Sequence, residues 1–187
     1  MKYRPFQHAL IAAAVAAAML LFTVSCGRSP AREREPNNAF DTANELAAGR
    51  AVEGFFNAPD DADYYRLVVD DDVIADIDLS LVRGVNHSIK VWQGAESPRL
   101  VRYIDDGRKS SAERMCNLSL ARGVYFLSVQ HGEKDDRREN IENPYLLKVT
   151  LRERAFHEEF EPNDEPSAAS PLQFGIETSG FYSPGYN

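Results

Sequence analysis

The chain has 187 residues, with 21 Lys and Arg against 29 Asp and Glu, a net charge of −8, and only two cysteines. An acidic balance of this size leaves no basis for a nucleic-acid partner, because that binding rests on neutralising phosphates with Lys and Arg. Two cysteines cannot build a disulfide framework, so stability has to come from a packed core and whatever ligands the chain recruits.

Residues 1–25 have the pattern of an export signal. Lys2 and Arg4 precede an apolar, alanine-rich run from Ala9 to Val24 that is too short for a comfortable membrane span. The run ends Phe22-Thr23-Val24-Ser25-Cys26-Gly27, which resembles a bacterial lipobox with Thr23 where Leu is preferred. That resemblance implies cleavage before Cys26 and lipid on its sulfur and new amino group. The partner at that end would be a membrane of the cell envelope, reached through the lipid on Cys26, since an acidic chain has no charge attraction for anionic lipid. An ordinary signal peptide cleaved nearby would export the chain equally. With Cys26 so used, Cys116 has no partner for an intramolecular disulfide.

Residues 26–32 form a short polar tether. Next comes Glu33-Arg34-Glu35-Pro36-Asn37-Asn38, which returns as Glu159-Phe160-Glu161-Pro162-Asn163-Asp164, 126 positions later. The register then holds without a gap: Ala43 matches Ala169, Leu46 matches Leu172, Gly49 matches Gly175, Gly54 matches Gly180 and Phe55 matches Phe181. This is an internal repeat. In an extended segment residues i and i+2 point to one side, so Glu33, Glu35 and Asn37 can converge, and Pro36 stiffens the strip. Oxygen ligands so arranged, with a second acidic cluster at Asp60-Asp61-Ala62-Asp63, suit a hard cation such as calcium. A solvated acidic linker is the bland alternative. The spacing and loop glycine of an EF-hand are absent.

From Ala51 onward the pattern has period two. Tyr65, Leu67 and Val69 alternate with Tyr64, Arg66 and Val68, and Val73, Ala75, Ile77, Leu79 and Leu81 form one apolar face. Further strands are expected at Ser88–Gln93, Arg99–Ile104, Arg114–Leu120, Val124–Gln130 and Tyr145–Arg152, separated by Gly, Asn, Asp and Pro. Only Asp41–Ala48 has helical character. The fold class is therefore all-β, an antiparallel sandwich of about eight strands over 33–152. Residues 153–187 are expected to be a linker and the truncated start of a second repeat. A strand or so cannot bury its apolar face alone, which suggests the front of a longer protein or a vestigial tail.

Catalytic constellations are lacking. His157-Glu158-Glu159 has no second His four residues on, and Pro162 breaks the helix that a zinc-protease motif needs. His87 and His131 are expected at the surface, at a turn and at a strand end. Cys116 shares strand parity with Leu118 and Leu120 and is expected as an inert core thiol. Trp92 lies off the Ile89/Val91 face, half-buried under a loop or exposed to stack on a polymer.

Glu35-Pro36-Asn37-Asn38, Asp41-Thr42-Ala43, Gly54 and Asp60-Asp61-Ala62-Asp63-Tyr64-Tyr65, then Gly123–Val129 and Tyr145–Val149, together resemble the bacterial pre-peptidase C-terminal (PPC) domain. That resemblance implies a non-catalytic β-sandwich module of exported proteins. A related branch, the collagen-binding domains of clostridial collagenases, binds calcium with a linker of this type. Carried over residue by residue, its ligands would be Glu33, Glu35, Asn37, Asn38, Asp60 and Asp63, with Asn38 replacing an Asp and so removing one formal charge. The function expected is a lipid-anchored cell-envelope module, not an enzyme, stabilised by calcium and binding or presenting an extracellular polymer or protein. Alternatives are the accessory front of an exported hydrolase with its catalytic domain beyond Asn187, or a spacer in a tandem array.

Overall fold

The computed structural model describes residues 29–133, 139–155, 157–159, 161–163 and 165–180. The leader, Cys26, Phe160, Asp164 and everything from Phe181 onward lie outside them. Ten strands follow in chain order: β1 (Ala31–Arg32), β2 (Asn44–Glu45), β3 (Val52–Phe56), β4 (Ala62–Val69), β5 (Val73–Leu79), β6 (His87–Gln93), β7 (Arg99–Ile104), β8 (Glu113–Leu120), β9 (Gly123–His131) and β10 (Asn140–Arg152). They form two five-stranded sheets, ordered β1-β3-β10-β5-β8 and β2-β4-β9-β6-β7. The eight longer strands pair antiparallel with one another, whereas β1 on β3 and β2 on β4 are short parallel additions.

The sheets face each other because alternate residues are apolar, and burying that face drives them together at about 1.5–3 kcal/mol for each large aliphatic side chain. Tyr65, Leu67 and Val69 of β4 are buried where Val68 is exposed, as the alternation requires. Ile77, Leu79, Tyr125, Leu127, Leu147 and Val149 all lie in the core between the sheets. Leu81 lies beyond the end of β5 and is exposed, so the apolar face of that strand stops at Leu79.

Three expectations are corrected, and for Trp92 one of two alternatives is selected. Residues 41–48 are not helical: a turn leads into β2, whose Asn44 and Glu45 pair with Tyr65 and Arg66. Cys116 is half-exposed, because β8 slips against β5 between Ala75 and Ile77. Asn117 there has a positive φ of 59°, a conformation that Asn tolerates better than most residues. The slip puts Met115 and Leu118 in the core and turns Cys116 away from it. His87 and His131 are buried rather than superficial, their ring centroids 6.5 and 4.6 Å from that of Phe56. Trp92 takes the half-buried alternative: Phe40 sits edge-on to Trp92, Tyr64 and Phe126 at 5.4, 4.8 and 5.2 Å, roofing the outer face of the second sheet.

Candidate cation site and its second copy

Parallel pairing of β1 with β3 places the strip. Ala31 lies beside Val52 and Arg32 beside Glu53, and the Glu33 amide donates to the Glu53 carbonyl at 2.9 Å. The strip is tied to the other sheet by the Tyr64 amide, which donates to the Asn37 carbonyl at 2.8 Å. It therefore spans the mouth of the sandwich, joining the edge of one sheet to the edge of the other.

Into that mouth three carboxylates converge. Glu33, Glu35 and Asp63 each bring an oxygen within 4.8 Å of the others. Glu33 Oε1 accepts from the Phe55 amide at 2.6 Å, and Oε2 accepts from the Tyr65 hydroxyl at 2.9 Å and the Tyr145 hydroxyl at 3.3 Å. Tyr145 also approaches Asp63 Oδ2 at 2.5 Å, and the two phenol oxygens are 2.7 Å apart. Glycine at position 54 is required by this close approach, since a Cβ there would collide with the Tyr145 phenol and the Glu33 carboxylate.

The electrostatics are one-sided. No Lys or Arg among the described residues pairs with any of the three carboxylates. Burial, and then the charge of Glu33, push the Asp63 carboxyl up to about 9, and burial also raises Glu33. Burial raises the Tyr65 and Tyr145 phenols as well. Without a cation, a proton held on Asp63 lowers the negative charge of the cluster.

The donor set fits a hard cation. The carboxylates of Glu33, Glu35 and Asp63 meet beside the phenols of Tyr65 and Tyr145, and hard oxygen donors of this kind are the chemistry calcium takes. Asn37 is fully buried beside the cluster, and its side-chain nitrogen donates to Glu35 Oε2 at 2.9 Å and to Asp63 Oδ1 at 3.0 Å, tying the strip to β4.

Of the residues singled out by sequence, Glu33, Glu35, Asn37 and Asp63 come together. Asn38 stands at the rim, its Nδ2 donating to Asp61 Oδ1 at 3.2 Å. Asp60 is exposed and is not among the three carboxylates that converge. Its neighbour Asp61 is buried instead, accepting from the Asn57 amide at 2.6 Å, while the Asn57 side chain donates to Glu35. Sequence reasoning passed over Asp61, Tyr65 and Tyr145. Strand parity pointed to the first, because Asp61, Asp63 and Tyr65 are alternate residues of one extended run.

The second copy repeats this local structure. The Glu159 amide donates to the Ser179 carbonyl at 3.0 Å, as Glu33 does to Glu53. Asn163 donates from its backbone to Glu161 Oε2 at 3.1 Å, as Asn37 does to Glu35 Oε2 at 3.1 Å, and from its side chain to Glu159 Oε2 at 3.0 Å. Gly175 has φ 79° where Gly49 has 78°, and Gly180 lies close to Glu159 as Gly54 does to Glu33. The environment differs. Leu46 is buried in the core, whereas Leu172 and Phe174 are exposed. The second strip is fastened to β8: the Ser119 amide donates to the Glu161 carbonyl and the Glu161 amide to the Asn117 carbonyl, both at 2.7 Å. Arg152 clamps the join by donating to Asn117 Oδ1 and Glu158 Oε2.

No protein-family model matches this chain, and no curated protein matches it. Among solved structures it is similar to the pre-peptidase C-terminal domain of a collagenase from Bacillus anthracis, with 18% identity, 58% of this chain and 94% of that one covered, and a TM-score of 0.47. It is also similar to PliG, a periplasmic inhibitor of g-type lysozyme, from Aeromonas hydrophila (15% identity, 59% and 96% covered, TM-score 0.40). The Salmonella Typhimurium PliG is comparable, at 15% identity, 59% and 98% covered, and TM-score 0.38.

Proposed function

We propose that this chain is a non-catalytic module of the cell envelope whose amino-terminal strip is fastened across the sandwich mouth by calcium. Glu33, Glu35 and Asp63 would supply the charge, Asn37 the amide oxygen and Asn38 the rim. Its body would bind or present an extracellular polymer or protein, and lipid on Cys26 would hold it to a membrane. The observation that carries this is the meeting of Glu33, Glu35 and Asp63 within 4.8 Å with no basic partner among the described residues. A PPC-type origin accords with the two-sheet topology and with the strip motif at residues 33–38.

Isothermal titration of chelator-treated protein tests the ligand set. Wild type and Asp60→Asn should bind one calcium alike, because Asp60 is exposed and outside the group of converging carboxylates. Glu35→Gln and Asp63→Asn should lose it. Equal binding by wild type and Asp63→Asn, or no binding by wild type, would remove the proposal.

A further inference from the structure

The second strip forms one wall of a groove whose other wall is the edge strand β7. The groove has a volume of about 490 Å³, within the range of ligand-binding clefts. Its floor is apolar, with Leu118 and Leu120 of β8 and Tyr125 of β9 beside Val101 of β7. Tyr125 is fixed in place, its hydroxyl donating to the Ala121 carbonyl at 2.9 Å and accepting from Gln93 at 3.1 Å.

Two side chains of opposite charge line this groove, one from each wall. Glu161 bridges in parallel to Leu118, and paired residues share a face of a sheet, so Glu161 is turned inward as Leu118 is. Only 8% of Glu161 is exposed, and its Oε2 accepts from the Asn163 amide at 3.1 Å. No Lys or Arg pairs with it among the described residues. Its counterpart Glu35 joins the cation cluster, whereas Glu161 belongs to no such group of three among the described residues. A carboxylate taken out of water is costly unless a positive group meets it. Arg99, on the β7 wall, is exposed and has no ion pair among the described residues. The groove thus offers an anion and a cation that do not pair with each other, over an apolar floor.

We propose that this groove binds an apolar zwitterion, a free amino acid or a dipeptide with aliphatic side chains. Its ammonium meets Glu161, its carboxylate meets Arg99, and its side chains lie over Leu118, Leu120 and Tyr125. The cation cluster takes no part in this binding, so the two sites stand or fall separately.

The probes are leucine and leucyl-leucine, titrated calorimetrically into the full chain. They differ in the separation of ammonium and carboxylate, so the tighter binder identifies the source. N-acetyl-leucyl-leucine lacks the ammonium, leucyl-leucinamide lacks the carboxylate, and glycyl-glycine lacks the side chains; each should bind more weakly than leucyl-leucine by roughly tenfold or more. Glu161→Gln should weaken leucyl-leucine by about tenfold and leave the N-acetyl form unchanged. Arg99→Gln should weaken leucyl-leucine equally and leave the amide unchanged. Exchange protection of the Ser119 amide, which donates to the Glu161 carbonyl, reports whether the strip stays docked in Glu161→Gln. If that protection is lost, Arg99→Gln, at an exposed position, decides alone. Failure of both leucine and leucyl-leucine to bind would overturn the proposal. So would equal binding by leucyl-leucine and its N-acetyl form, equal binding by glycyl-glycine, or an Arg99→Gln variant that binds as wild type does.

Discussion

Asp63 is fully buried, lies within reach of Tyr145, and has Glu33 and Glu35 for neighbours, so its carboxyl holds its proton up to about 9. In the unfolded chain the same group ionises in the usual carboxylate range. Between those two values the folded form binds the extra proton, so stability is fully present at low pH and is lost as pH rises through about 9. Glu33, Asp61 and Glu113 are raised by burial and act in the same sense. Chelator-treated protein should therefore show a denaturant midpoint that falls between about pH 4 and pH 9. Asp63→Asn should flatten that slope and be more stable than wild type at the alkaline end. A midpoint that is level or rises across this window would contradict the placement of Asp63.

At the scale of strands, the core supplies the test. Leu127 and Leu147 are buried between the sheets, and truncation to Ala should cost roughly 2–5 kcal/mol through lost transfer energy and the cavity left behind. Leu146, the exposed neighbour on β10, should lose no more than about 0.5 kcal/mol on the same change. Urea unfolding measures both, and equal losses at Leu146 and Leu147 would invert the face assignment. Strands such as β4 were legible because one buried face imposes strict alternation, and a slip by one residue would expose it. Alternation failed where the backbone leaves the ladder. The irregularity at Asn117 shifts parity by one and turns Cys116 out, although an Asn at such a point was itself a hint. His87 and His131 looked superficial because each ends a strand. Their burial is set by Phe56, which belongs to the other sheet and is distant in sequence. Likewise Glu33, Glu35 and Asn37 were legible as one side of a stiff strip, while Tyr145, 112 residues from Glu33, could be placed only by the fold.

At the scale of the whole molecule, two fastenings set the arrangement: the strip across the sandwich mouth, and the lipid proposed at Cys26. The second should make the native protein partition into detergent, with Cys26→Ala released or unprocessed, and a wholly soluble wild type with another mature amino terminus would sink it. The first joins the edges of both sheets through Glu33, Asn37 and Asp63, so a cation there should stabilise the entire sandwich by mass action. The decisive measurement is a thermal melt in millimolar calcium against chelator, on wild type, Asp60→Asn and Asp63→Asn. At one hundred times the dissociation constant, wild type and Asp60→Asn should each gain about 2.7 kcal/mol, and Asp63→Asn should gain nothing. Superimposable wild-type melts with calcium and with chelator would contradict the account and leave residues 33–38 as a hydrogen-bonded strip that needs no cation.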